Sequence, residues 1–130
     1  MSPDYQVDPI IPSKPALHER PQIELEQATA LGKLFKILAN DTRLRLLHAV
    51  IRAGELCVSD LSLAVQMKPQ AVSNQLQRLV DRGILSARRQ GNYMYYQVAD
   101  PCVVYLLDRG LCLLEETEER QTNHARTADG

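Results

Sequence analysis

Between Val58 and Val98 the hydrophobic pattern of this chain changes period, and that change limits the folds open to it. Val58 to Val65 reads as a short helix. Gln66-Met67-Lys68 is a tight connection, and Pro69 suits the first turn of a second helix. The second helix runs to about Asp81 with Val72, Leu76, Leu79 and Val80 on its inner side, and Gly83 ends it. Helical spacing then gives way to alternation. Ile84, Leu85 and Ala87 lead into Arg88-Arg89-Gln90, a Gly91-Asn92 pair follows, and Tyr93-Met94-Tyr95-Tyr96-Gln97-Val98 returns. Two such runs around Gly-Asn predict a β-hairpin. Two helices on a short turn followed by a two-stranded hairpin predict a mainly α fold, the winged helix-turn-helix.

The flanking segments fit one domain of that kind. Ile23 to Ala39 has a helical stripe of Ile23, Ala30, Leu31, Leu34, Phe35 and Leu38. Asn40-Asp41 ends it and caps a second helix, Thr42 to Arg52, which Gly54 stops. Asp100-Pro101 caps a last helix, Cys102 to about Glu119. Its Val103, Leu106, Leu107, Gly110, Leu111, Leu113 and Leu114 predict a dimer seam. His48, near Val50 and Ile51, is expected as a partly buried core histidine. Five of seven prolines fall in residues 1–21, which read as a mobile arm; residues 22–119 form the domain and 120–130 a polar tail. No apolar run is long enough for a membrane span, and residues 1–20 hold no signal-peptide block, so a cytoplasmic location is expected. Three widely spaced cysteines are no disulfide framework; in a reducing compartment they are free thiols, metal ligands or redox sensors. The chain has no Gly-rich phosphate loop, CxxC or HExxH, so no enzyme is expected.

Charge sharpens the reading. The net charge is −1, but residues 66–99 carry five bases and one acid, against seven bases and eight acids before them and three bases and seven acids after. A polyanion meets this local field, not the average. Lys68, Gln70, Ser73, Asn74 and Gln77 lie at the start and outer face of the second short helix, where Gln and Asn can pair with adenine edges. The hairpin tip adds Arg88, Arg89, Gln90, Asn92 and Tyr93, suited to phosphates or the minor groove. The same residues could instead solvate a surface. The scarcity of acids and the adjacency of the two patches favour DNA.

Four segments carry a resemblance: Leu38-Ala39-Asn40-Asp41-Thr42-Arg43-Leu44-Arg45-Leu46-Leu47, Glu55-Leu56-Cys57-Val58-Ser59-Asp60-Leu61, Val72-Ser73-Asn74-Gln75-Leu76, and Arg89-Gln90-Gly91-Asn92-Tyr93-Met94-Tyr95-Tyr96-Gln97. Together they resemble the ArsR/SmtB family of metal-sensing repressors, over about Leu31 to Glu116. The resemblance implies a homodimer, joined through the N- and C-terminal helices, that binds an imperfectly palindromic operator and leaves it when an inducer binds.

It also implies two places for that inducer. The Glu-Leu-Cys-Val-x-Asp-Leu box supplies Cys57 and Asp60 as ligands, completed from the arm, where His18 is the strong donor; Asp8, Glu19 and Glu24 are weaker oxygen donors. The lead- and cadmium-sensing variant has a further Cys where Ser59 stands here. The alternative is that Cys57 is a small buried hydrophobe. Zinc-sensing members use the last helix. Asp100 and Glu116 match their carboxylates, Cys102 stands for the first His, and Leu113 breaks the second, with Cys112 adjacent. From Cys102 to Cys112 a helix rises roughly 15 Å, so only an antiparallel partner could close such a site. Thiolates with carboxylates favour zinc, cadmium or lead. Arsenite is a further candidate. So is a Cys102–Cys112 disulfide or reactive-sulfur switch with no metal at all. A winged helix used purely for protein assembly is the rival outside DNA binding.

Overall fold

A computed structural model describes residues 14–129. Five helices and three strands follow in the order α1 Leu25–Leu38, α2 Asp41–Ala53, β1 Leu56–Cys57, α3 Val58–Val65, α4 Pro69–Asp81, β2 Leu85–Gln90, β3 Tyr93–Val98 and α5 Pro101–Asp129. Local chemistry explains the boundaries. Asn40 caps α2 by accepting the Arg43 N–H at 3.0 Å. Gly54 closes α2 at φ +89°, a left-handed setting costly for any side chain with a Cβ. The α3–α4 connection turns on Gln66 at φ +55°, while the Met67 N–H donates to the Ser62 carbonyl at 3.1 Å. Pro69 opens α4, where its missing N–H costs nothing.

The wing differs from the expected two-stranded hairpin. Leu56 and Cys57 add a third strand, giving the antiparallel order β1-β3-β2 with Leu56 opposite Tyr96 and Cys57 opposite Tyr95. Two residues between a helix C-cap and a helix N-cap are too short to show alternation, so their pairing depends on the edge that β3 offers them.

The core lies where α2, α3, α4 and the base of the sheet meet. Leu46, Leu47, Val50, Leu61, Val72, Leu76 and Leu79 are fully buried there, with Leu85 and Tyr96 closing it from the sheet. Full burial of a leucine contributes about 1.5–3 kcal/mol. Val103, Leu106 and Leu107 pack the first turns of α5 against this core.

Three expectations are corrected. The last helix does not stop near Glu119 but continues to Asp129, because no Gly or Pro interrupts the intervening residues. Within the expected mobile arm, Leu17–Glu19 form a 3₁₀ turn and Ala16 is buried; residues 1–13, including Asp8 and three prolines, lie outside the described residues. His48 is exposed, since helical geometry turns it away from the face on which Leu46, Leu47 and Val50 are buried.

Two helices keep apolar faces that their own protomer leaves open. On α1, Leu31, Leu34 and Phe35 are exposed and only Leu38 is buried. On α5, Val104, Leu111 and Leu114 are exposed on one side and Tyr105 and Leu113 on the other.

Candidate DNA interface and thiol sites

The core fixes how α4 is presented. Val72, Leu76 and Leu79 face inward, so Gln70, Asn74 and Gln77 project from the opposite, exposed face, with Lys68 at the N-cap. Gln70 donates to the Asn74 side chain at 3.1 Å, and Gln77 donates to Asp81 at 2.8 Å. The first pair forms a polar amide platform on the leading turns. The second places the segment's one acid beside Gln77. Ser73 is half-buried and lies on the flank of this face rather than at its centre.

On the wing, Arg89, Asn92 and Tyr93 are exposed. Arg88 is engaged. Its Nε donates to Glu55 Oε2 at 3.0 Å, a second guanidinium nitrogen bonds Glu55 Oε1, and Nη1 donates to Gln90 Oε1 at 2.7 Å. Its guanidinium carbon sits 5.0 Å from the centroid of the Tyr95 ring. The bidentate pair holds the Glu55 carboxyl below its usual range. Glu55 precedes β1, and the β1–β3 pairing carries it to the wing. Counting charge along the sequence missed this neutralisation, because the partner lies 33 residues away, just before a strand that carries no signature of its own.

The three thiols have different settings. Cys57 is buried at the N-cap position of α3, and its Sγ donates to Asp60 Oδ2 at 3.1 Å, with Ser59 Oγ at 3.2 Å. The structure therefore brings together Cys57 and Asp60. His18 stands 3.9 Å from Glu19. Cys102 and Cys112 are both exposed on α5. With Tyr105, Arg109 and Glu116 they share one helical face. Asp100 caps the helix by accepting the Cys102 N–H at 2.8 Å. That backbone N–H, with the Cys102 thiol as a second donor, holds the Asp100 carboxyl below its ordinary value, and the carboxylate in turn pushes the Cys102 thiol up. Among the described residues, no three His, Cys, Asp or Glu side chains of one protomer gather into a metal cluster.

This arrangement has solved and curated counterparts. The family model for "bacterial regulatory protein, arsR family" matches residues 40–87. The transcriptional repressor SmtB homolog of Synechocystis is 34% identical over 111 residues, covering 85% of this chain and 83% of that one. The chain belongs to the ArsR/SmtB family of winged-helix repressors. The crystal structure of the AntR antimony-specific transcriptional repressor is 57% identical, with a TM-score of 0.71 over 87% of this chain and 99% of that one. A homodimeric winged helix-turn-helix DNA-binding domain from Mycobacterium bovis is 29% identical, with a TM-score of 0.66 over 78% of this chain and 95% of that one. As an ArsR/SmtB repressor the chain is a DNA-binding regulator of transcription and not an enzyme. Among the described residues no helix is long and apolar enough to cross a membrane.

Proposed function

We propose that this repressor works as a homodimer on an inverted-repeat operator and is released when a thiophilic metal or metalloid ion is taken up by Cys102 and Cys112 on α5. The observation that carries the reading is the exposure of both thiols on a helix whose apolar face its own protomer leaves open. A second copy packed on α1 and α5 covers Leu31 and Phe35, and on α5 Tyr105 and Leu113, which share the face of the two thiols. Run antiparallel, α5 brings Cys102 of each protomer toward the Cys112 end of the other. Two thiolates with Asp100 and Glu116 select soft, thiophilic ions over magnesium. The 57% identity to an antimony-specific repressor puts antimonite first among them, followed by arsenite, cadmium, lead and zinc. Cys57 with Asp60 is the weaker candidate, because its thiol is buried and already bonded to the Asp60 carboxylate. Release then requires the ion to favour a dimer geometry that fits DNA poorly. Coupling of about 1–3 kcal/mol lowers operator affinity roughly 5- to 150-fold.

The test is fluorescence anisotropy of the reduced protein on its own promoter DNA, titrated with those five ions in parallel. Release near one ion per site, lost in Cys102→Ser, supports the reading. Release that survives Cys102→Ser and Cys112→Ser but not Cys57→Ser moves the site to α3. Tight binding that no ion disturbs, but oxidants do, replaces the metal with a thiol switch.

The wing makes a separate prediction. Lys68, Gln70, Asn74 and Arg89 contact DNA in this reading, while Arg88 reaches phosphate only after leaving Glu55. Arg89→Ala is expected to flatten the plot of log K against log salt by about 0.9, the increment for one phosphate contact. Glu55→Gln frees Arg88 and is expected to steepen the same plot and raise affinity at low salt. An unchanged slope in Glu55→Gln would show that Arg88 braces the wing and touches no phosphate.

Thiol chemistry makes another. An ion displaces the proton from each thiol, so uptake weakens as pH falls. The Asp100 carboxylate strengthens that dependence at Cys102 by stabilising the protonated form. Asp100→Asn keeps an oxygen for the cap and removes the charge. Its Cys102 is expected to alkylate faster with iodoacetamide at neutral pH than the wild-type residue, as followed by peptide mass spectrometry. The buried Cys57 serves as the slow internal control.

A further inference from the structure

Arg43 is buried, 8% exposed, near the start of α2. A buried guanidinium ordinarily faces a carboxylate. The two acceptors reached here are neutral. Nη1 donates to the Ile37 carbonyl of α1 at 3.0 Å, and Nε donates to Gln75 Oε1 of α4 at 2.8 Å. The Ile37 carbonyl belongs to the last turn of α1, where carbonyls have no helical partner and the helix end is negative, so a cation fits. Gln75 lies on the flank of α4, between the core residue Leu76 and the exposed Asn74. One rigid fork therefore spans the helix that carries the open apolar stripe and the helix that presents Gln70 and Asn74. Arg43 can only donate, so the Gln75 amide must turn its oxygen inward.

We infer that Arg43 and Gln75 are positioning residues that set the rotation of the recognition helix relative to the dimer axis. Through them, α4 is held to α1 and so to the partner subunit, and they need not touch DNA. This inference rests on the dimeric operator reading above. In a two-fold complex the spacing between half-sites is read by the fixed placement of two α4 helices, and one added base pair turns a half-site by about 34°. A helix held by Arg43 tolerates that rotation poorly. One released from it tolerates it better.

The experiment measures full-length protein on its promoter duplex and on duplexes with one or two base pairs added or removed at the operator centre. Wild type is expected to lose about tenfold in affinity per base-pair change. Gln75 is partly exposed, so Gln75→Leu leaves the core in place and should flatten that profile to about threefold. Gln75→Glu keeps an acceptor for the guanidinium and should restore the steep profile. Arg43→Lys keeps the charge, loses the fork, and should resemble Gln75→Leu. A profile in Gln75→Leu as steep as wild type overturns the inference. An equal loss at every spacing also overturns it, by assigning Gln75 to direct DNA contact. A flat profile in wild type removes the two-fold operator itself, which distinguishes failure of that reading from failure of this one. Thermal melts of each variant identify any that is simply unfolded, and the remaining variant of the pair then decides.

Discussion

Replacing Leu31 and Phe35 together by Glu should yield a folded monomer that binds its operator about a thousandfold more weakly, toward the level of non-specific binding. Both side chains are exposed in the protomer, at 43% and 46%, and sit one turn apart on α1. Neither belongs to the buried cluster built by α2, α3, α4 and the sheet, so the winged domain keeps its core. In a dimer the same positions would be desolvated, and two unpaired carboxylates in an apolar seam cost several kcal/mol. The loss of affinity follows from geometry. A monomer engages one half-site with one α4 and one wing, whereas a dimer engages two at once. Sedimentation and circular dichroism would establish a folded monomer, and anisotropy the affinity. A variant that remains dimeric would place the seam on α5 alone.

The second large effect concerns induction. Cys102→Ser is expected to leave operator affinity within about twofold of wild type while removing nearly all of an ion-dependent release of up to about 150-fold. The substitution is close in shape and the residue is exposed, so folding should be indifferent to it. Serine oxygen is a harder donor than thiolate and holds thiophilic ions poorly. The same change at Cys57 should behave differently. Cys57 is 7% exposed and its thiol joins Asp60 and Ser59 at the start of α3, where serine is a good helix cap. Cys57→Ser should therefore retain both DNA binding and release. If it abolishes release while Cys102→Ser does not, the α5 site is wrong.

Much of the scaffold was legible because it is encoded locally. The bounds of α3 and α4 agree with the sequence expectation, since Pro69, Gly83 and the apolar spacing each act within a few residues. The family motifs then carried the functional class. What could not be read were the relations across the chain. Nothing near Glu55 announces that it will neutralise Arg88, and nothing near Arg43 announces Gln75. Both pairs connect residues more than 30 positions apart, through a sheet edge in one case and a helix crossing in the other. His48 is exposed where the sequence predicts a core position, because its apolar neighbours in sequence point to the other side of the helix.

The length of α5 has a consequence for how such a regulator behaves at low abundance. Its 29 residues extend about 44 Å, yet only the first turns rest on their own domain. Most of a helix's stability comes from packing its apolar side, not from propensity. The part of α5 beyond those first turns, with Cys112 and Glu116, would then be well ordered only where a second chain lies against it. A cell holding few copies would possess chains that can neither grip the operator firmly nor sense the ion. Rising copy number would confer both abilities together, so the synthesis rate of the protein itself would set the threshold at which repression and its relief become available.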